Sequence, residues 1–185
     1  PDNHDHFKNV EERTNWTHEN TVEDKLGHGT HVAGSIAGAS KSCPGLAPDA
    51  TLLTFKVFTN DQVSYTSWYL DAFNYAIYRK LDLLNLSIGG PDWLDVCFVD
   101  KVYEVISNGI IMVAAMGNDG PRMGTLNNPA DEAAVIGIGA VDYSKRVAQF
   151  SSRGISMEPT RHRGVGIPKP DLMAYGSQIS SSNVK

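Results

Sequence analysis

The chain has 185 residues, 41% of them hydrophobic and 20% charged, with a formal net charge of -5. That length supports one domain with a packed core, and the composition excludes a disordered chain. The 16 Lys and Arg are scattered among 21 acidic residues, which excludes a nucleic-acid partner because phosphate neutralisation needs clustered cations.

Small residues flank His28 in Gly27-His28-Gly29-Thr30-His31-Val32-Ala33-Gly34, and a helix is predicted to start there and continue through Ser35-Ile36-Ala37. Residues 51–58 read as a strand, and residues 64–80 as a helix with Trp68, Ala72, Ala76, Phe73 and Ile77 on one apolar face. Residues 81–88 form a nearly continuous apolar run, expected to be a strand buried on both sides, that stops at Gly89-Gly90-Pro91. Asp92 or Asp95 can cap a helix over residues 96–108, which Gly109 ends. Residues 110–115 are the next buried strand, stopping at Gly117-Asn118-Asp119-Gly120-Pro121. Residues 135–141 are another, in which Gly137 and Gly139 let neighbours pack closely. Residues 154–169, with Arg161-His162-Arg163, read as irregular solvated structure, and residues 170–175 return to an extended form. Alternating strands and helices predict an α/β fold with right-handed crossovers on a parallel sheet covered by helices. Ligands of such sheets sit beyond the carboxyl ends of the strands, so the exits at Gly89 and Gly117 are the places to seek a site.

The longest apolar run, residues 110–116, falls far short of the roughly 20 residues that span a bilayer, so no membrane contact is expected within these limits. Cys43 and Cys97 lack metal-ligand spacing and are read as two buried free thiols. Asn15-Trp16-Thr17 is a glycosylation sequon, which suits a secretory protein. Asn85-Leu86-Ser87 also matches but lies in an apolar strand. The first residues carry no initiator Met or signal core and the last are small and polar, so both ends are expected to be cuts through a longer protein.

Three segments can carry chemistry. At a helix start the His28 imidazole can project into a crevice as a general base, its ordinary pKa of roughly 6.5 suiting neutral pH. A His28–His31 metal pair is the rival, but no third ligand follows at helical spacing, and His31 reads as structural. Ser87-Ile88-Gly89 can pair with an extended peptide by strand addition, or be a plain strand exit. Asn118, between glycines at a strand end, can offer an amide donor to an oxyanion, or be part of an ordinary Asn-Asp-Gly turn.

Taken in order, residues 27–38, 87–91 and 114–121, followed by Phe150-Ser151-Ser152-Arg153-Gly154 and Lys169-Pro170-Asp171-Leu172-Met173-Ala174, resemble the motifs of the subtilisin-like serine proteases. The resemblance implies a subtilisin-like three-layer α/β fold, with a mostly parallel central sheet flanked by helices and incomplete at both ends, over one catalytic domain. It makes His28 the general base and Asn118 the oxyanion donor. Ser87, Ile88 and Gly89 become one wall of the substrate channel, with Gln62, Val63 and Ser64 as the facing strand. Ala115, Met116 and Gly117 line the first specificity pocket, which the bulk of Met116 is expected to narrow. The family's Asp-Thr-Gly (or Asp-Ser-Gly) and Gly-Thr-Ser motifs do not occur here, and Asp2, Asp5 and Asp24 do not replace the missing aspartate. The chain alone is therefore expected to be inert.

A narrower likeness, carried by Val63-Ser64-Tyr65-Thr66-Ser67-Trp68 and Gly124-Thr125-Leu126-Asn127-Asn128-Pro129-Ala130-Asp131, is to family members of the secretory pathway. It implies a membrane-anchored enzyme of the endoplasmic reticulum or Golgi lumen, with its own prodomain as a partner. Substrates would be membrane-bound transcription factors and secretory precursors cut after an Arg four residues upstream, which Asp92 or Asp95 would receive. No cofactor is implied within the chain, and calcium is an expectation for the full-length protein. Two other readings stand beside this one. The same fold could serve as a catalytically inactive peptide-binding module, or Gly137-Ile138-Gly139 could be the phosphate loop of a nucleotide-binding domain, for which it lacks a third glycine and a helix start.

Overall fold

The computed structural model describes residues 4–91, 94–156 and 166–184, so Asp92 and Arg161-His162-Arg163 lie outside the described residues. The chain forms two compact units, one of residues 1–72 with 180–185 and the other of residues 73–179.

In the first unit, β1 (Val10–Asn15) leads to α1 (His28–Ala37), and β2 (Leu52–Lys56) returns to pair parallel with β1, Arg13 opposite Thr54 and Asn15 opposite Lys56. Val10-Glu11-Glu12-Arg13 has no apolar run to announce a strand, and the ladder with β2 makes it one. The side chain of Asn15 is turned inward, accepting from the Thr17 amide at 3.0 Å and the Thr17 hydroxyl at 2.7 Å. α1 buries Thr30, Ala33, Gly34 and Ala37. Its small residues are needed because a Cβ on Gly34 would come within 2.5 Å of the hydroxyls of Ser181 and Ser182. α2 (Thr66–Tyr78), whose residues the unit boundary at Ala72 divides, buries Ala72, Phe73 and Ala76 of the predicted face.

In the second unit, β3 (Leu83–Leu86), β4 (Ile111–Ala115), β5 (Ile136–Val141) and β8 (Leu172–Tyr175) build a four-stranded parallel sheet in the order β3-β4-β5-β8, with α3 (Val96–Ser107) between β3 and β4 in the chain. Asp95 caps α3, its carboxylate accepting from the Phe98 amide at 3.1 Å. Gly109 ends the helical segment in the left-handed region, φ 84°. Val102 and Val105 of α3 are fully buried, as is Met112 of β4, at 0, 0 and 1% exposure. Among its described residues, the stretch expected to be irregular holds a short antiparallel pair, β6 (Gly154–Ile155) with β7 (Pro168–Lys169).

Two expectations are corrected here. β3 and β4 are not buried on both sides: Leu83 and Ile111, partners in the ladder, are 52 and 53% exposed. The register continues that face through Val113 beside Ile136 and Ile138 beside Leu172, and Leu172 is itself 59% exposed. The run of apolar residues thus builds a sheet with one packed face and one open apolar face among the described residues. Nor are the thiols both buried. Cys97 is exposed in the first turn of α3, and Cys43 is half-buried in a loop, donating weakly to the Ser180 carbonyl at 3.6 Å.

Candidate active site

His28 is the first residue of α1, and its side chain is exposed. The residue before it, Gly27, sits at φ 84°, a conformation glycine adopts without cost, and has no side chain to cap the helix. Asp24 supplies the cap instead. Its Oδ1 accepts from the Gly27 amide at 2.9 Å, and its Oδ2 accepts from the Thr30 amide at 2.8 Å and the Thr30 hydroxyl at 2.7 Å. Burial works to raise the pKa of this carboxyl, but the Thr30 hydroxyl and the amides of Gly27 and Thr30 outweigh it and hold the group below its ordinary value. Asp24 is thus spent on the helix start.

His31 is half-buried, and its carbonyl accepts from the Ser35 hydroxyl at 3.1 Å and the Ser181 hydroxyl at 2.7 Å, a structural position. Among the described residues no group of three or more His, Cys, Asp or Glu side chains could hold a metal ion.

Gln62, Val63 and Ser64 do not form the strand expected of them. Gln62 takes φ 61° and donates to the Thr59 carbonyl at 3.0 Å. The Thr59 amide donates to the Val63 carbonyl at 2.9 Å, and the Thr59 hydroxyl accepts from the Val63 amide at 3.1 Å. Thr59 is buried at 2% exposure, so one residue, by its backbone and its hydroxyl, holds the segment in a tight turn.

In the second unit, the exits of β3 and β4 lie side by side, since Leu86 pairs with Ala114. The sequence reading found both exits but missed what joins them. The Asn127 amide donates to the Met116 carbonyl at 3.0 Å, while Gly90 and Asn128 exchange backbone hydrogen bonds of 3.3 and 2.9 Å. Glycine is required on both sides of this bridge: a Cβ on Gly89 would lie 2.9 Å from the Asn128 carbonyl oxygen, and one on Gly117 would lie 2.5 Å from Asn127 Nδ2. The glycines themselves were the available signal, because each announces a close neighbour without naming it.

Gly117 has φ 107°, and the exposed Asn118 follows it. The Gly120 amide fastens the far side of this loop to the Phe150 carbonyl at 2.9 Å. Met116 does not narrow a pocket. Its side chain is 1% exposed and points into the packed face, where its sulfur occupies the space a Cβ on Gly137 would need. Alternation along β4 turns Met112, Ala114 and Met116 inward together, leaving Ala115 on the other face. The same contacts remove the phosphate-loop reading. Gly137 and Gly139 lie inside β5, one filled by Met116 and the other by Met173, whose sulfur would be 2.6 Å from a Cβ there.

The profile of the Subtilase family matches residues 1–185. The chain belongs to the subtilase family. This subtilase segment is 60% identical to human membrane-bound transcription factor site-1 protease over 182 residues, covering 98% of the chain and 17% of that protein. It is 58% identical to the subtilisin-like protease SBT6.1 of Arabidopsis thaliana over 181 residues, with the same two coverages of 98% and 17%. Among solved structures, Sphericase superposes with a TM-score of 0.80 at 28% identity, covering 95% of the chain and 62% of that structure. The subtilase segment thus has the subtilisin-like α/β fold that its motifs implied, and it spans only a part of its relatives.

Proposed function

We propose that the chain is part of a serine endopeptidase in which His28 is the general base and Asn118 the oxyanion donor. In the acylation step the His28 imidazole takes the proton from a serine hydroxyl carried elsewhere in the protein, while the serine oxygen bonds to the scissile carbonyl carbon. The Asn118 carboxamide donates a hydrogen bond to the oxygen as it gains negative charge, and His28 then passes its proton to the leaving amine. Water repeats the sequence on the acyl-enzyme. One observation carries this reading: the family match runs over all 185 residues, with His28 at a capped helix start and Asn118 at a glycine-flanked strand exit.

The substrate would lie along Ser87, Ile88 and Gly89 by strand addition, with the turn of Gln62, Val63 and Ser64 on its other side. Ala115 and Gly117 would line the first specificity pocket. The similarity to a protease named for membrane-bound transcription factors supports substrates of that kind, and the family resemblance adds secretory precursors cut after an upstream Arg in the lumen of the secretory pathway. Asp95, one of the two carboxylates expected to receive that Arg, also caps α3, and Asp92 lies outside the described residues. The calcium that the family resemblance allows is an expectation for the full-length protein, and no step here uses it.

The test is hydrolysis of fluorogenic peptides by the full-length protein, with Arg or Ala four residues before the cut, alongside labelling with a fluorophosphonate. Turnover of the Arg peptide and covalent labelling are expected. Tight peptide binding with neither would replace this reading by the inactive peptide-binding module.

A further inference from the structure

An oxyanion donor accelerates a reaction only if it is already in place when charge develops, so the groups that fix its backbone matter as much as the donor itself. Asn118 lies on an exposed loop, where neither helix nor strand supplies that order. Ser152 supplies it. Its amide donates to the Gly117 carbonyl at 3.1 Å, and its hydroxyl oxygen accepts from the Asp119 amide at 3.1 Å. The first contact holds the peptide group on one side of the Asn118 Cα and the second holds the group on the other. One residue therefore fixes both backbone dihedrals of the donor.

The clamp is buried and rigid. Ser152 is 1% exposed, and a Cβ on Gly117 would come 2.8 Å from its hydroxyl, so the bare glycine is what lets the serine in. The residues beside it are tied down in turn. The Ser151 hydroxyl accepts from the Ala140 amide of β5 at 3.0 Å, the Ser151 amide donates to the Ala148 carbonyl at 3.0 Å, and the Arg153 amide donates to the Thr125 hydroxyl at 3.2 Å.

We propose that Ser152 is a positioning residue for the Asn118 carboxamide, holding it where it meets the developing oxyanion. The proposal rests on the reading of Asn118 as the oxyanion donor. It gives a purpose to a buried serine that the family motifs assign no step in the chemistry.

Four variants of the full-length peptidase test it: Asn118→Ala, Ser152→Ala, their combination, and Ser156→Ala, which removes another buried hydroxyl acceptor, that of the Ile167 amide, with no part in the contacts above. Ser152→Ala is expected to lower kcat about 10- to 100-fold, the scale of a small misplacement at a reacting centre, with KM unchanged. Added to Asn118→Ala it should lower kcat no further, because the group it positions is gone. Ser156→Ala should lower the melting temperature but leave kcat alone.

Wild-type kcat in Ser152→Ala, or losses that multiply in the double variant, would overturn the positioning role. A normal kcat in Asn118→Ala would instead remove the oxyanion reading, and the proposal with it. Should Ser152→Ala not fold, Ser152→Cys keeps the volume with a weak acceptor. An intermediate kcat then supports the clamp, and a wild-type kcat refutes it.

Discussion

His28 stands on a helix whose first turn is held by one carboxylate, whereas Asn118 stands on a loop held by contacts from two other segments, around Asn127 and Ser152. A helix carries its own order, so a base at its start needs only the orphan amides of the first turn to be satisfied. A loop carries none, and a donor on it must borrow rigidity through glycines that admit neighbours closely. The side chains of both residues are exposed. The difference lies beneath them, and it predicts that damage around His28 will be read mainly as stability and damage around Asn118 mainly as rate.

Four measurements would break or sharpen that contrast. Removing the base itself has the largest expected effect: His28→Ala in the full-length protein should lower kcat by about a million-fold, the scale for losing one member of a unit that acts together. Residual turnover near wild type in a peptidase assay would remove His28 from the mechanism. Asn118→Ala should lower kcat about 100- to 1,000-fold while KM barely moves, and a loss appearing only in KM would mean that the amide serves binding.

Gly117→Ala attacks the loop backbone. At φ 107° and with Asn127 Nδ2 only 2.5 Å from the new Cβ, it should cost about 1–3 kcal/mol of stability and reduce kcat as well, measured by thermal unfolding and steady-state kinetics on one preparation. The smallest effect belongs to the helix start. Asp24→Ala should cost about 1 kcal/mol, as the loss of a cap does, with kcat little altered. The folded pKa of Asp24 is lowered, so its contribution is fully present above the ordinary carboxylate pKa and is lost as pH falls through the lower folded value. The gap in melting temperature between wild type and Asp24→Ala should therefore be constant near neutrality and close in acid. A gap that widens in acid would contradict the cap.

What could be read in the sequence follows the same division. α1, α2, α3 and the strands β2 to β5 announce themselves through period and punctuation: the helical spacing of Ala72 and Ala76, the cap at Asp95, the stop at Gly109. β1 did not, because Val10-Glu11-Glu12-Arg13 is charged and its pairing with β2 joins segments some forty positions apart. The motifs around His28 and Asn118 were legible through their order, which resembles the family's, since each segment alone read equally as a plain helix start or turn. Met116 was misjudged since a residue's type says nothing of which face of β4 it takes, and only the register with Gly137 decides that. Asn127 and Ser152 were invisible as supports of the loop for a related reason. Their contacts are long-range, and an isolated Asn or Ser carries no mark of the backbone group it will meet.

β8 closes one side of the four-stranded sheet, and all of its residues are exposed. Its ladder with β5 is consequently the part of that sheet most open to water, and fluctuations that release it need uncover little apolar surface. Amide hydrogen exchange should register this as a gradient, with Ala174 and Tyr175 giving up their protons early and Val113 and Ala114, in the middle of the sheet, keeping theirs until the unit opens as a whole.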